Sequence, residues 1–235
     1  MPAFFSPFAT PRVEVAPYRL SGTVYGALLN HRTSLATLGD AVEAAPYKGA
    51  PKGVVLYLKP RNTFVAGGGA VHVDAGAPEL EVGAALGLVI GKTSCALREQ
   101  DALDHVAGYL AVADFGAPCD SHFRPQIRSR ARDASCVLGD AVVARAPSLD
   151  PDALAIRTFV DGRLVRTTST AEQLRTAAQL LVAVTDFMTL APGDVLLTGL
   201  APEAPRVRAG ARVAVEIEGV GRLETRVEMD DGAPA

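Results

Sequence analysis

Several features that would each have pointed to a function are scarce or missing here. Among 235 residues there are only three cysteines. Cys95, Cys119 and Cys136 show no CxxC spacing, so neither a disulfide framework nor a zinc site is indicated, and reduced thiols in a cytoplasm are expected. No Lys/Arg cluster is interleaved with aromatics, and Lys+Arg 23 against Asp+Glu 26 gives a net charge of -3, which disfavours nucleic acid as a partner. No apolar run is long enough to cross a bilayer; that from Val82 to Ile90 fits a core strand. The opening MPAFFSPFATPRVEVAP has no basic stretch ahead of its apolar residues and is broken by prolines. It is therefore read as an irregular segment over residues 1–20 and not as a signal peptide or anchor. Glycines 67–69 are not followed by a helix and do not form a phosphate loop. Without repeats or a low-complexity linker, residues 21–235 read as a single domain.

With 49% hydrophobic and 21% charged residues the chain can bury a full core. Its organising stretch is Pro78 to Gly116. The pattern there predicts a strand over Val82–Ile90, closed by Gly91. An amphipathic helix follows, with Ala102, Leu103, Val106 and Ala107 on its apolar face and a stop at Gly108. A second strand, Tyr109 to Val112, delivers Asp114 just past its end. An acid in that position is either a turn or cap aspartate, or a ligand or catalytic group aimed by a fixed backbone.

A strand is expected from Tyr18 to Leu29, ending at Asn30-His31-Arg32, where His31 is equally compatible with a structural role and with a site. Residues 33–45 are weakly helical. The strand from Val54 to Leu58 delivers Lys59, held extended by Pro60. After Asp114, His122, Arg124, Arg128, Arg130 and Arg132 suit either an anionic small molecule or a solvated loop. Asp161-Gly162 predicts a hairpin, and Ser169-Thr170-Ala171-Glu172 reads as a capping box opening a helix that runs to Phe187. Pro192-Gly193-Asp194 turns into a strand at Val195 to Leu197, and a last hairpin turns at Gly219-Val220-Gly221. Strands outnumber the single helices between them, so the fold class is α+β: a mixed β-sheet roll or barrel with a few outer helices.

Taken in order, LNHR at Leu29, LKPRNT at Leu58, VIGKT at Val89, AGY at Ala107, ARDASCVLG at Ala131 and PGDVLLTG at Pro192 resemble the fumarylacetoacetate hydrolase family from Gly22 to about Arg226. Within it, LNHR with LKPRNT and the preceding Tyr47-Lys48 most resembles the N-terminal half, or separate N-terminal subunit, of the isomerase/decarboxylase branch of 4-hydroxyphenylacetate (homoprotocatechuate) degradation. The resemblance implies the family's C-terminal-domain fold and a dicarboxylate or tricarboxylate oxo acid as substrate. The implied reactions are decarboxylation of 5-oxopent-3-ene-1,2,5-tricarboxylate and isomerisation of 2-hydroxyhepta-2,4-diene-1,7-dioate, with an acylpyruvate-type hydrolase as runner-up.

It also implies Mg²⁺ or Mn²⁺ held by an E-x-E pair and a third acid. Here the pair falls on Gly83 and Ala85, and the third acid on Asp114, while Glu79 and Glu81 form an E-x-E four residues early. The family's lid histidine and glutamate fall on Ser34 and Thr37, and its lysine on Arg130. By this resemblance Asp114 is the remaining metal ligand, and His31, Lys59, Arg130 and Thr198 bind substrate. A catalytically weak or silent subunit completing a metal-competent paralogue is the competing expectation. A homodimer, or a heteromer with a C-terminal-type subunit, is the expected assembly, in the cytoplasm and with no membrane partner.

Overall fold

The computed structural model describes residues 22–119 and 126–230, together with the backbone of residues 14–15 and 18–19. Most of the irregular segment expected over 1–20, and the site candidates His122 and Arg124, lie outside the described residues. A two-residue ribbon, β1 (Glu14–Val15) with β2 (Tyr18–Arg19), precedes the core. Then come β3 (Val24–Leu28), α1 (Arg32–Leu38), β4 (Val55–Lys59), β5 (Phe64–Ala66), β6 (Ala70–Val73) and the long β7 (Glu79–Ile90). A short α2 (Glu99–Ala102) leads to β8 (Val106–Gly116), α3 (Ile127–Arg130), β9 (Cys136–Leu138) and β10 (Val143–Ala144). The chain ends with β11 (Ala155–Val160), β12 (Arg163–Ser169), α4 (Ala177–Thr185), β13 (Val195–Leu197), β14 (Arg206–Arg208), β15 (Arg212–Ile217) and β16 (Gly221–Met229).

Two sheets carry the architecture. The larger runs β4-β3-β13-β7-β8-β9-β5, with β10 attached to β8 and β14 to β7; the smaller runs β12-β11-β15-β16-β6. Although β4 and β5 stand at opposite ends of the larger path, only Pro60–Thr63 separates them in the chain. The sheet must therefore curl until its two ends meet. Asn62 bridges the seam: its carbonyl accepts from the Ala134 amide at 3.0 Å and its side-chain nitrogen donates to Ala131 O at 3.2 Å. This is the mixed roll expected from the strand count.

Strand alternation divides the core in two. Val82, Leu86, Leu88 and Ile90 of β7 face a large cluster that includes Ile156, Val213 and Val215 of the smaller sheet and Leu180, Leu181 and Val184 of α4. The other face of β7 carries Ala85 and Val89, which pack inside the roll against Val24, Leu110, Val112, Val195 and Leu197. Gly83 shares that inner face and pairs directly with Asp114 of β8. Among the described residues no helix is long and apolar enough to cross a membrane.

Some local expectations give way to tertiary pairing. The amphipathic helix after Gly91 is only α2 plus one 3-10 turn to His105, because β8 already starts at Val106 and pairs with Ile90. Gly108 is consequently a strand residue, and Asp114 lies within β8 instead of past its end. The weak helix over 33–45 is α1 followed by a 3-10 turn over Gly39–Val42. Ser169 caps only the 3-10 turn Thr170–Glu172. The capping box belongs instead to Thr176 and Gln179 at the start of α4, leaving Leu174 outside that helix and exposed. Both hairpins form, and the Asp161-Gly162 turn has φ values of 50° and 76°, as a two-residue primed turn requires.

Thr176→Ala is expected to lower stability by about 1 kcal/mol by orphaning the Gln179 amide, whereas Ser169→Ala should act only on its short turn. Urea denaturation of both variants, with unchanged m-values, checks the assignment.

Candidate functional site

The roll brings three of the residues singled out in the sequence into one place. Lys59, the last residue of β4, points across the interior to β8 and to the chain just before β9. Its Nζ lies 2.6 Å from Asp114 Oδ1, and both side chains are completely buried. The ammonium donates to Phe115 O at 2.6 Å, Ser135 Oγ at 3.1 Å and Ser135 O at 3.3 Å. These three acceptors use its three protons. Asp114 Oδ1 thus receives the full charge of the ammonium but no aligned hydrogen bond.

The second carboxylate oxygen, Oδ2, accepts a short hydrogen bond from the Tyr57 hydroxyl. Tyr57 reaches it because its cross-strand neighbour is Gly26: a Cβ there would lie 2.0 Å from the ring. Arg130, at the end of α3, stacks its guanidinium over the same ring at 5.5 Å. Burial, followed by the charge of Asp114, pushes the Tyr57 hydroxyl well above its usual range, and Arg130 only partly opposes this. Burial alone would lower the Arg130 guanidinium, but Asp114, Tyr57 and Glu81 outweigh it and raise it. The thiol of Cys136, buried beside the pair, is also raised, mainly by desolvation.

Next to this cluster lies a cavity of about 350 Å³ lined by Arg130, Gly83, Glu81, Ser34, Thr37 and Leu200 among others. Both lid positions, Ser34 and Thr37, thus face it, with a hydroxyl at each in place of an imidazole and a carboxylate. Lys59, Asp114 and Thr198 are buried and do not line it. His31 stands apart: it caps α1 by accepting from the Thr33 amide and sets its Nε2 2.9 Å from Glu172. The Thr198 carbonyl accepts from Asn30 at 2.7 Å, while its buried hydroxyl has no partner among the described residues. Arg128 is exposed, and Arg132 pairs with Asp74. Tyr57 stands in no motif; its one sequence signal is a strand tyrosine two residues before Lys59, on the same face.

The residues present do not fit a divalent metal. Gly83 stands opposite Asp114 where a carboxylate is needed, and the space beside it is taken by Leu200, whose methyls would lie 2.7 Å from an added Cβ. Ala85 is fully buried in apolar surroundings. The early glutamates do not substitute: Glu81 pairs with Gly116 across the strands, two positions from Asp114, and Glu79 and Glu81 are salt-bridged to Arg206 and Arg208 of β14. No group of three His, Cys, Asp or Glu side chains suited to a metal occurs among the described residues. A hard cation with strict geometry needs several oxygens it can approach closely, and both oxygens of Asp114 are engaged.

Titration with Mn²⁺ should accordingly give no stoichiometric binding at micromolar free metal; tight binding abolished by Asp114→Ala would contradict the engaged state of that carboxylate. A second expectation concerns alkaline pH. With its folded pKa above the unfolded value of about 10, Tyr57 keeps its proton when the unfolded chain releases one, so stability falls as pH rises through that region. Tyr57→Phe should cost about 1–3 kcal/mol near neutrality by orphaning Asp114 Oδ2 and should remove that part of the alkaline loss. Urea midpoints of both proteins between neutral and alkaline pH check both effects.

Comparison with known proteins agrees with the motifs. Residues 23–228 match the family model described as fumarylacetoacetate (FAA) hydrolase C-terminal. The chain is 38% identical over 208 residues to the 4-hydroxyphenylacetate degradation bifunctional isomerase/decarboxylase of Escherichia coli, covering 88% of this chain and 47% of that protein. It is 36% identical to the homoprotocatechuate catabolism bifunctional isomerase/decarboxylase from the same organism, over 88% of this chain and 48% of the relative. The chain therefore spans about half the length of these curated relatives. In structure it resembles the 5-carboxymethyl-2-hydroxymuconate delta-isomerase of Mycobacterium smegmatis, with a TM-score of 0.77, 25% identity and coverage of 91% and 81% of the two chains. The match to the 2-hydroxyhepta-2,4-diene-1,7-dioate isomerase of Mycobacterium marinum has a TM-score of 0.74 at 25% identity, covering 91% and 77%. From the match over 23–228, the ordered motifs and the shared roll, this chain belongs to the fumarylacetoacetate hydrolase family.

Proposed function

We propose that this chain serves 4-hydroxyphenylacetate (homoprotocatechuate) catabolism as the catalytically weak or silent partner of a metal-competent paralogue. That paralogue carries the decarboxylation of 5-oxopent-3-ene-1,2,5-tricarboxylate and the isomerisation of 2-hydroxyhepta-2,4-diene-1,7-dioate. The pathway rests on the names of the half-matched relatives. The division of labour rests on one observation: Asp114 is held by Lys59 and Tyr57, with Gly83 opposite it.

Both reactions pass through an enolate, which needs positive charge placed at its oxygens. Arg130 can meet one carboxylate of an oxo acid at the cavity, but a guanidinium does not chelate the oxo-acid end. Lys59 is unavailable for this, being enclosed with its three protons donated. The acylpyruvate-hydrolase alternative needs a base to activate water, and Ser34 and Thr37 supply none at the lid positions. Partnering is supported by Leu164 and Val165, exposed on β12 at the edge of the smaller sheet, since such an edge invites pairing or covering. A homodimer, or a heteromer with a C-terminal-type subunit, in the cytoplasm, belongs to this reading, as does a single family domain over 21–235.

The test is turnover of the tricarboxylate by the purified chain, alone and co-expressed with a metal-competent family member. Losing one electrostatic stabiliser typically costs roughly 10²–10³ in rate. The chain alone should therefore fall at least about 10²-fold below the metal-replete relative, and the two should copurify. Turnover by the chain alone in EDTA, as fast as that of the relative, would overturn the proposal.

A further inference from the structure

We propose that the pocket of oxygens around Lys59 Nζ is a monovalent-cation site that the chain fills from within, the side-chain ammonium being its resident ion and Asp114 its counter-ion. This assignment is independent of which partner the chain serves and of the pathway.

The geometry has two parts. Four oxygens surround one nitrogen: Asp114 Oδ1 at 2.6 Å, Phe115 O at 2.6 Å, Ser135 Oγ at 3.1 Å and Ser135 O at 3.3 Å. Three N–H bonds cannot point at four oxygens, and the acidic one is left with charge and no aligned proton. A fourth, anionic oxygen held at contact distance by charge alone is coordination of a kind that a spherical cation also accepts. With one carboxylate among neutral oxygens, all 2.6–3.3 Å from the nitrogen, the cage matches a singly charged ion such as ammonium or K⁺ and not Mg²⁺, which demands about 2.0–2.1 Å.

The surroundings hold the cage in shape. Phe115 lies in β8 beside Asp114, and its amide donates to Ser135 O at 2.8 Å, which joins the two segments that supply the oxygens. Ser135 Oγ also donates back to Arg132 O, at 2.5 Å. Tyr57 closes the far side of Asp114. The cage is therefore built by backbone and neighbouring side chains that do not depend on Lys59 for their positions.

Shortening the lysine should thus expose a vacant cation site. Thermal unfolding of full-length Lys59→Ala is measured in chloride salts of equal ionic strength: tetramethylammonium, sodium, potassium, ammonium and methylammonium. In tetramethylammonium the midpoint should lie about 10 °C or more below that of the wild type, as expected for a buried carboxylate stripped of its partner. Ammonium, methylammonium or potassium should recover several degrees, saturably, while the wild type responds to none of them specifically. Adding Asp114→Asn should remove the ion-specific recovery.

A second variant covers failure to fold. Lys59→Met/Asp114→Asn leaves no buried charge, so it should fold, melt above Lys59→Ala in tetramethylammonium and show no ammonium response. Absence of ion-specific recovery in a folded Lys59→Ala, recovery by micromolar Mg²⁺ in place of monovalent ions, or a double variant no more stable than Lys59→Ala would each overturn the proposal.

Discussion

The ion pair between Lys59 and Asp114 ties the last residue of one end strand to the middle of the sheet across the closed roll, and the chemistry of the site depends on it. Strand order alone gives an open path from β4 to β5. The short link through Pro60–Thr63 forces the ends together, and Lys59 then crosses the interior to Asp114, Phe115 and Ser135. Taking both charges out of water is costly, and their attraction offsets this only when the remaining protons and lone pairs are also satisfied. Here they nearly are: three protons on three acceptors, and Oδ2 on the Tyr57 hydroxyl. The consequence is asymmetric. The intact pair adds little net stability, while losing either partner leaves an uncompensated buried charge costing about 3–5 kcal/mol.

That structural use of Asp114 conflicts with metal binding. A ligand carboxylate must present an oxygen to the ion with other acids converging on the same point. In this chain the neighbouring positions are small or apolar, and Leu200 fills the room beside Gly83. Inside the roll Ala85 sits with Val24, Val112, Val195 and Leu197, so the interior continues as an ordinary apolar core up to the charged cluster. The family's fold and motifs are present, while Gly83 and Ala85 bring no carboxylate to the wall beside Asp114.

How much of this could be read from the chain follows from the range of the interactions. The long apolar run at Val82–Ile90, the Asp161-Gly162 hairpin and the turn at Pro192-Gly193-Asp194 are local signals, and each forms where the sequence places it. The helix expected to end at Gly108 shortens because the pairing of β8 with β7 extends to Val106, and backbone pairing with a buried neighbour outweighs a modest amphipathic pattern. The capping box shifts to Thr176 because Thr176 and Gln179 have the same spacing as Ser169 and Glu172, and only tertiary contacts choose between them. Asp114, Lys59 and Arg130 are each singled out by the family motifs, and the roll brings them together. Tyr57 and Lys59 come from a strand more than fifty residues before Asp114, so nothing in the local sequence says that the lysine neutralises the aspartate. His31 shows the converse: its place in a motif drew attention to it, yet its ring nitrogens are occupied by Thr33 and Glu172.

The charge balance at the cavity gives the proposed role its chemical sense. Lys59 cancels Asp114, and Glu81 is paired with Arg206 at 3.4 Å. Facing the cavity there remain the exposed Glu203 and the Arg130 guanidinium, stacked on Tyr57, whose terminal nitrogens have no hydrogen-bond acceptor among the described residues. One fixed planar cation recognises one carboxylate in a forked geometry and leaves the far end of an oxo acid to whatever the walls offer. At Ser34 the wall offers a hydroxyl, which can hydrogen-bond an oxygen without taking its proton at neutral pH, while the Thr37 hydroxyl already donates to Thr33 O at 2.9 Å. A cavity of this kind can hold and orient an anion but gives little to the charge that grows during decarboxylation or isomerisation. On the proposed reading, the missing positive charge is supplied by the metal-competent paralogue.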